Sequence, residues 1–291
     1  MKVQARAKIN LFLEVLYKRP DGYHEIDTVL QSVALSDELL FDKQKEGFTL
    51  TVSDPSIQTG KDNLVCRVYD LLQRHFPKRV GGVRIHLEKR IPAGAGLGGG
   101  SADAAAALAA LNRLFHCGLG GADLHSIALE IGMDVPFCLV GGTAQATGRG
   151  EQLAFAQRQL DFQVLVVHPG FSVSTPMAYQ SLGLLEGEQK RKSEETANAL
   201  RGENPEILWP SLYNRFEEGI QARYPALKEI KSALVQGGCR AALLTGSGSA
   251  VCGYAPLSRD LKALAAFFKE RYPFVALTRP VNTGVVFDNA V

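Results

Sequence analysis

The sequence has few of the features that mark membrane-spanning, disulfide-bonded or zinc-binding proteins. No stretch approaches the ~20 consecutive apolar residues that a membrane-spanning helix requires. The five cysteines are odd in number and include no Cys-X-X-Cys pair, so a zinc site is disfavoured. Free, buried thiols are typical of a reducing compartment, and we therefore expect a cytoplasmic protein.

Evidence for export or for a charge-driven partner is equally scarce. The apolar run at residues 9–16 is interrupted by Asn10 and Glu14, and no small-residue cleavage site follows it, which disfavours a signal peptide. Lys and Arg total 32 against 30 for Asp and Glu, a formal net charge of +2. This balance disfavours binding to nucleic acid or to a membrane surface, so affinity for anions must come from local sites.

What the chain does have is length and an ordinary globular composition. With 291 residues, of which 46% are hydrophobic, it can bury two separate cores. The pattern changes between residues 150 and 162, and we predict a first domain at 1–155 and a second at 156–291. The order of strands and helices in the second domain indicates an α+β arrangement.

Apolar periodicity and turn residues predict the individual elements. In the first domain we expect strands at 9–16, 83–89 and 139–147, a hairpin at 39–52, and helices at 63–75, 101–116 and 122–131. In the second domain we expect strands at 162–167 and 274–281, a strand pair across 241–253, and helices from 176 and at 212–219, 222–236 and 261–272. The expected helix caps are Asp62 or Asn63, Gly132 and Thr175. The polar segment 184–206 is typical of a solvated helix and loop.

Glycine is concentrated at residues 92–103, between a predicted strand and a predicted helix. The segment reads Pro-Ala-Gly-Ala-Gly-Leu-Gly-Gly-Gly-Ser-Ala-Asp. Because glycine has no Cβ, such a loop can adopt positive φ and bring backbone N–H groups close to a ligand. The helix that follows, which we expect Ser101 to cap, adds unpaired N–H groups and the positive end of its dipole. Together these features predict an anion pocket, most naturally for phosphate.

The type of phosphate loop is not one of the two commonest. A Walker A loop needs Lys after its last glycine, whereas Ser101 and Ala102 follow here. A dinucleotide fingerprint would use Gly94, Gly96 and Gly99 and would need an acidic residue about 20 positions later at a strand end. Residues 113–123 instead form a helix end and a glycine-rich turn. A tight turn without a ligand remains the alternative.

Three further segments carry side chains with two interpretations each. Tyr23 and His24 follow a Pro-Asp-Gly turn, where they would either pack the turn or present a ring and an imidazole to a ligand. Asp134 follows a helix end within an apolar stretch and would either cap the next turn or act as a general base. The glycine- and serine-rich turn at 245–249 would either close an ordinary hairpin or add backbone donors for a phosphate.

Several stretches together resemble the superfamily of galactokinase, homoserine kinase, mevalonate kinase and phosphomevalonate kinase, the GHMP kinases. They are Ala-Lys-Ile-Asn-Leu at 7–11 with Asp-Gly-Tyr-His at 21–24, the segment 92–105, and Leu-Thr-Gly-Ser-Gly at 244–248. The resemblance covers nearly the whole chain. The glycine-rich segment is typical of the superfamily in general. Lys-Ile-Asn at 8–10, the segment 21–24 and Asp-Val-Pro at 134–136 narrow the resemblance to the kinases of a cytidine-bearing methylerythritol.

The resemblance implies a two-domain α+β fold. Its N-terminal domain would be α/β, like ribosomal protein S5, its C-terminal domain ferredoxin-like, and its active site would lie in the cleft between them. The implied reaction transfers the γ-phosphoryl group of ATP to the 2-hydroxyl of the substrate, in the non-mevalonate route to isopentenyl diphosphate. Mg²⁺ is expected with ATP. The implied partner is a small molecule with a cytidine diphosphate moiety, without nucleic acid or membrane, and the implied protein is a monomer or weak homodimer.

The resemblance also implies which residues bind ATP and catalyse the transfer. The ATP phosphates would lie against Pro92, Ala93, Gly94, Ala95, Gly96, Leu97, Gly98, Gly99, Gly100, Ser101 and Ala102. Asp134 would accept the proton of the substrate hydroxyl, and Lys8 beside it would neutralise charge on the transferring group. This division of roles suits phosphoryl transfer, which depends on positioning and charge neutralisation.

At the substrate end, the resemblance implies stacking of the cytosine ring between Tyr23 and Tyr179. His24 would hydrogen-bond the polar edge of the ring, and Asn10 would contact the erythritol. The second domain would close the site with Thr245 and Gly246.

Other interpretations remain open at this point. Ser101 is a possible Mg²⁺ ligand, but the sequence identifies no acidic partner for it. A kinase of mevalonate, homoserine or a sugar is the alternative enzyme, although such small substrates would not need Tyr23 and His24. A nucleotide-binding regulatory protein without turnover is the alternative from another class, against which the presence of both Lys8 and Asp134 argues.

Overall fold

The computed structural model describes residues 1–156, 160–182 and 208–288. The first part contains strands β1 (Lys2–Lys18), β2 (His24–Lys43), β3 (Phe48–Val52), β4 (Val83–Glu88), β5 (Thr143–Gly148) and β6 (Gln152–Ala156), with helices α1 (Leu64–His75), α2 (Gly99–Leu114), α3 (Gly121–Ile131) and α4 (Val135–Val140). The second part contains strands β7 (Phe162–His168), β8 (Tyr213–Asn214), β9 (Ala241–Leu244), β10 (Val251–Pro256), β11 (Phe274–Thr278) and β12 (Val285–Asp288). Its helices are α5 (Thr175–Gln180), α6 (Glu217–Arg223), α7 (Pro225–Gln236) and α8 (Lys262–Lys269).

The first sheet is organised around a long antiparallel ribbon of β1 and β2. Its strand order is β12-β1-β2-β4-β3, with β5 and then β6 added on another part of β2 and β8 added on β1. The β1–β2 register shifts between Arg6 and Lys8, between Asn10 and Phe12, and between Val15 and Tyr17. Such bulges bend a strand and redirect side chains, and they are frequent beside active sites. Two of these shifts flank the Lys8–Asn10 segment.

One face of this sheet is covered by α1 to α4, which makes the first core. The apolar residues of α1, including Val65, Val68 and Leu72, pack there with Ile85 and Leu87 of β4. The consecutive alanines 104–107 of α2 are all fully buried. Because alanine is small, α2 can lie close to β1, α1 and α4, which places its N-terminus beside β1.

The second sheet is antiparallel in the order β11-β7-β10-β9. Numbered along the chain, these strands follow the order 4-1-3-2 of the ferredoxin-like arrangement, with helices between β7 and β9 and between β10 and β11. One face packs on α6, α7 and α8, and the other packs on the β1–β2 ribbon through Phe162 and Tyr254, with Trp209 from the segment before β8 packed against Phe162. The α+β fold expected from the resemblance is confirmed, whereas the boundary between 155 and 156 stays a prediction.

Several predicted elements differ from the structure because their identity depends on distant residues. The hairpin expected at 39–52 is wrong: β3 pairs in parallel with β4, which lies between β2 and β3. The strand expected at 139–147 begins only at Thr143, because the apolar run before it forms α4 and two glycines of positive φ then turn the chain. The helix expected at 212–219 is also wrong, since residues 213–214 form β8 and the helix starts at Glu217.

The caps were predicted with mixed success. Asn63 caps α1 by accepting a hydrogen bond from the Val65 N–H, and Gly132 ends α3, as expected. Ser101 does not cap α2, because that helix already begins at Gly99, with Gly98 in the left-handed conformation and no side-chain cap. Ser174 rather than Thr175 caps α5.

Some expectations from the sequence do not concern single elements of the fold. The polar segment 184–206, expected as a solvated helix and loop, lies outside the described residues. Within the ranges that are described, no helix is both long and apolar enough to cross a membrane. The five cysteines are all buried and free.

Candidate active site

A cleft of about 1180 Å³ lies between the two sheets, above the N-terminus of α2. It is lined by Lys8, Asn10, Tyr23, His24, Asp134, Tyr179, Gly246 and every residue from Pro92 to Ser101. The structure therefore brings nearly all the predicted site residues to one place. Two of them do not line the cleft: Ala102 is buried in α2, and Thr245 is fully buried behind the cleft wall.

The glycine-rich loop (residues 92–98) needs glycine for two close contacts. Gly96 and Gly98 have φ of 79° and 69°. A Cβ on Gly96 would lie 2.0 Å from the backbone oxygen of Thr245, and one on Gly98 would lie 2.8 Å from Cγ of Lys8. These contacts hold the loop against β1 and against the turn between β9 and β10. The first N–H groups of α2, which have no partner within the helix, thus open onto the cleft.

Backbone hydrogen bonds hold this loop from two sides. The Lys8 N–H of β1 donates to the Leu97 oxygen at 2.9 Å. The Ala250 N–H donates to the Ala95 oxygen at 3.1 Å. The second of these bonds comes from the turn at residues 245–250, which we call the second loop. Both sheets therefore contribute to the position of the glycine-rich loop.

Lys8 and Asp134, distant in sequence, meet in the cleft. The Lys8 ammonium lies 3.7 Å from Oδ2 of Asp134. Asp134 immediately precedes α4, but its side chain makes no capping hydrogen bond, so the capping interpretation has no support. The side chain of Asp134 is 38% exposed and that of Lys8 is 7% exposed. The carboxylate therefore faces the cleft, with a buried cation directly beside it.

Asn10 links Lys8 to the second loop. Its Oδ1 accepts hydrogen bonds from the Lys8 ammonium and from the Gly246 N–H, both at 3.0 Å. Its Nδ2 donates to the Thr28 hydroxyl at 2.9 Å. Thr245 contributes from behind, since its hydroxyl accepts from the Asn10 N–H at 3.1 Å. The Asn10 amide retains one N–H that these bonds do not use.

Aromatic rings gather at the opposite end of the cleft from α2. The rings of His24 and Tyr179 stack with centroids 4.3 Å apart and an interplanar angle of 14°. Tyr179 also contacts Phe216 edge-on, and burial raises the pKa of the Tyr179 phenol to about 12. Tyr23 is 54% exposed and lies against the Arg149 guanidinium. These rings can stack on a flat ligand.

Part of the cleft was not signalled by any sequence motif. Beyond the glycine-rich loop it is lined by Ile57 and Gln58 and by the segment 62–64 at the start of α1. Ile57 and Gln58 come from a connection that has no recognisable pattern, and residues 62–64 were expected only as the start of a helix. Only the three-dimensional position of α1 beside α2 brings them to the cleft.

The role of Asn214 was also not predicted from the sequence, because its segment was expected to form a helix. Its Nδ2 donates to the oxygens of Leu244 and Gly246 at 2.7 and 2.8 Å, and its Oδ1 accepts from the Phe216 N–H. It is 2% exposed. Asn214 thus fixes the second loop, whose Gly246 in turn holds Asn10. A buried Asn within an apolar stretch was the available signal.

Replacing Asn214 by Ala is expected to lower the free energy of unfolding by about 1–3 kcal/mol, because two buried carbonyl groups lose their donor. Asn214→Asp should cost more, since it places a carboxylate against those two oxygens. Urea unfolding of the three proteins measures both effects. An Asp variant as stable as the Asn214 protein would contradict this role.

Comparison with known proteins agrees with this geometry. The family described as "GHMP kinases N terminal domain" matches residues 63–142, and "GHMP kinases C terminal" matches residues 192–273. A 4-diphosphocytidyl-2-C-methyl-D-erythritol kinase from Pelotomaculum thermopropionicum is 40% identical, over 96% of this chain and 97% of its own. One from Moorella thermoacetica is 39% identical, over 96% and 98%.

Solved structures support the family at the higher level of identity and the fold alone at the lower level. A crystal structure of 4-(cytidine 5'-diphospho)-2C-methyl-D-erythritol kinase matches with a TM-score of 0.81 and 35% identity, over 96% of this chain and 99% of its own. Homoserine kinase from Cytophaga hutchinsonii matches with a TM-score of 0.76 over 98% and 96%, but its 19% identity indicates the shared fold alone. On the identity and coverage of its relatives, the chain belongs to the 4-diphosphocytidyl-2-C-methyl-D-erythritol kinase family of the GHMP kinases.

Proposed function

We propose that the protein transfers the γ-phosphoryl group of ATP to the 2-hydroxyl of 4-diphosphocytidyl-2-C-methyl-D-erythritol, giving the 2-phosphate and ADP in the non-mevalonate route to isopentenyl diphosphate. Relatives that carry the name of this kinase and match almost their full length support the choice of substrate. The observation that carries the chemistry is the Lys8–Asp134 pair, which shares one cleft with the N-terminus of α2.

Each part of the cleft has a role in this reaction. The backbone N–H groups of the glycine-rich loop and of the first turn of α2 bind the ATP phosphates. Asp134 accepts the proton of the 2-hydroxyl. At the same time the hydroxyl oxygen forms a bond to the γ-phosphorus of ATP, and the bond from that phosphorus to the leaving ADP breaks. The Lys8 ammonium, 3.7 Å from Asp134, neutralises charge on the transferring group. Asn10 and the second loop hold Lys8 in place.

The aromatic end of the cleft binds the cytidine in this proposal. Tyr23 and Tyr179 stack on the cytosine, and a ring nitrogen of His24 hydrogen-bonds its polar edge. The unused N–H of Asn10 contacts the erythritol, beside the Gly246 backbone. Thr245 acts indirectly, through its bond to Asn10.

Mg²⁺ accompanies ATP in the proposed reaction, where it would supply charge neutralisation on the phosphates. Among the described residues, no group of three or more His, Cys, Asp or Glu side chains is placed to hold a metal ion. This fits an ion held mainly by substrate phosphates and water, which is usual for Mg²⁺. Ser101 lines the cleft at the first turn of α2, and its hydroxyl is the side-chain group of that turn that would face the ion.

The substrate assignment is tested by offering alternative phosphoryl acceptors. The purified protein is incubated with ATP and either 4-diphosphocytidyl-2-C-methyl-D-erythritol, mevalonate or homoserine, and phosphorylated product is measured by ³¹P NMR. We expect product with the cytidine substrate and none above background with the other two. Preference for mevalonate or homoserine would overturn the proposal.

The acid limb of the pH profile is expected to depend on His24. Burial, and then the charge of Lys18, hold the pKa of His24 below its ordinary 6.5. The imidazole therefore stays neutral at pH 7 and can accept a hydrogen bond from the cytosine amino group. Below this lowered pKa it becomes a cation that cannot accept.

We therefore expect the KM for the cytidine substrate to be constant from pH 8 to about 6.5 and to rise below that, with the KM for ATP unaffected. His24→Asn, which keeps an acceptor without titrating, should remove the rise. A rise that persists in His24→Asn would assign the effect to another group.

The setting of the enzyme is also part of the proposal. Five free, buried cysteines suit a reducing cytoplasm. We propose a monomer or weak homodimer, which sedimentation at several concentrations would test by the change of apparent mass with dilution.

A further inference from the structure

A buried cluster of two carboxylates and one ammonium lies at the base of the glycine-rich loop, apart from Lys8 and Asp134. The Lys89 ammonium is 2.5 Å from Oδ2 of Asp37 and 2.7 Å from Oδ2 of Asp103. None of the three side chains is more than 6% exposed. They come from three places: Asp37 from β2, Lys89 from the position directly after β4, and Asp103 from α2.

This cluster joins the two ends of the glycine-rich loop. On the entry side, Oδ1 of Asp37 accepts hydrogen bonds from the N–H groups of Arg90 and Ile91, the residues just before the loop. On the exit side, Asp103 belongs to the start of α2. Lys89 bridges the two carboxylates. The strand that enters the loop and the helix that leaves it are therefore tied to the same point of β2.

Lys89 also lies close to the place where phosphates would bind. It lines the cleft. A Cβ on Gly99, the first residue of α2, would be 3.3 Å from the Lys89 ammonium. A cation beside a helix N-terminus is unfavourable unless carboxylates compensate it, and Asp37 and Asp103 do so here.

The arrangement is poorly explained as a device for stability alone. Oδ1 of Asp103 is buried without a hydrogen-bond partner, which a purely structural cluster would be expected to avoid. Burial, only partly offset by Lys89, raises the pKa of Asp103 well above its ordinary value. Apolar side chains of similar volume often stabilise a fold as well as a buried ion pair does.

We propose that Lys89, held by Asp37 and Asp103, is a positioning residue for the ATP phosphates. It fixes the glycine-rich loop in the conformation that directs its N–H groups at the nucleotide. This inference rests on the proposed function, since it assigns the ATP end of the same cleft.

The test compares Lys89→Met with the double variant Lys89→Met/Asp103→Leu. The single variant should raise the KM for ATP roughly 10-fold or more and leave the KM for the cytidine substrate within about twofold. Because it leaves two buried carboxylates without their cation, it should also lower Tm. The double variant leaves one buried carboxylate, Asp37, without its cation instead of two, so it should regain part of the lost Tm while its KM for ATP stays raised.

The control is Asn112→Ala at the far end of α2. Asn112 bonds both backbone groups of Leu119 at 3.1 Å, so its loss should lower Tm without changing the KM for ATP. A double variant with the KM for ATP of the unmodified protein would show that the cluster only stabilises the fold, and would overturn the proposal.

Calorimetry with a non-hydrolysable ATP analogue separates this inference from the proposed reaction. A raised Kd in the double variant supports the positioning role even where no acceptor is phosphorylated, and an unchanged Kd overturns it. Absence of turnover in the unmodified protein with every acceptor would instead contradict the proposed function.

Discussion

Replacing Asp134 by Asn is expected to lower kcat by about 10²- to 10⁴-fold while the KM for ATP stays nearly constant. The amide has almost the same shape as the carboxylate, but it cannot take the proton of the substrate hydroxyl. Because the Asp134 side chain is 38% exposed and caps no helix, the variant should fold, and its Tm should fall only slightly through the lost ion pair with Lys8. The loss can therefore be assigned to chemistry and not to folding.

The matched control is Asp123→Asn. Asp123 also stands at a helix start, where its Oδ2 accepts from the Gly120 N–H, and it does not line the cleft. This control should keep its kcat. Steady-state kinetics of both variants with ATP and the cytidine substrate make the comparison, and an Asp134→Asn turnover within about threefold of the unmodified protein would remove Asp134 from the role of base.

Replacing Gly96 by Ala is expected to lower kcat/KM by at least about 10²-fold, because the glycine-rich loop and the second loop can no longer touch. The added Cβ would lie 2.0 Å from the backbone oxygen of Thr245. A backbone oxygen cannot move aside as the end of a flexible side chain could. The alanine must also adopt φ of 79°. Such strain costs of order 1–2 kcal/mol before any contact is counted.

Gly47→Ala separates backbone strain from the contact. Gly47 has φ of 80°, but a Cβ added there would have only the end of the Gln44 side chain nearby, at 4.0 Å. Gly47 does not line the cleft. It should lose about 1 kcal/mol of unfolding free energy and no activity. If Gly96→Ala matched Gly47→Ala in both kinetics and urea unfolding, the two loops would not depend on their close contact.

The parts of the site that depend on neighbouring residues were predictable from the sequence. The order of strand, glycine-rich loop and helix at 83–114 is such a part, because glycine at positive φ and helix propensity act locally. Parts set by distant contacts were not predictable. β3 pairs with β4, a strand that lies farther along the chain and separates β3 from β2 in the sheet. The apolar run at 135–140 is compatible with either a buried helix or a buried strand.

The meeting of Lys8 with Asp134 is the clearest case of this limit. It results from the bulges of β1 and from the packing of α4 against α2, and local periodicity predicts neither of them. Resemblance to a family could suggest the pair, whereas spacing could not. The roles of Asn214 and Lys89 were not predicted either, because their partners lie in other elements and because the segment of Asn214 was expected to form a helix.

The central claim is that one cleft brings the γ-phosphate, the substrate hydroxyl and the Lys8–Asp134 pair together. A crystal structure with a non-hydrolysable ATP analogue and 4-diphosphocytidyl-2-C-methyl-D-erythritol tests it most directly. We predict the polyphosphate on the glycine-rich loop and the 2-hydroxyl oxygen about 2.6–3.2 Å from an Asp134 carboxylate oxygen. A 2-hydroxyl held away from Asp134, or phosphates bound elsewhere than at the N-terminus of α2, would contradict it.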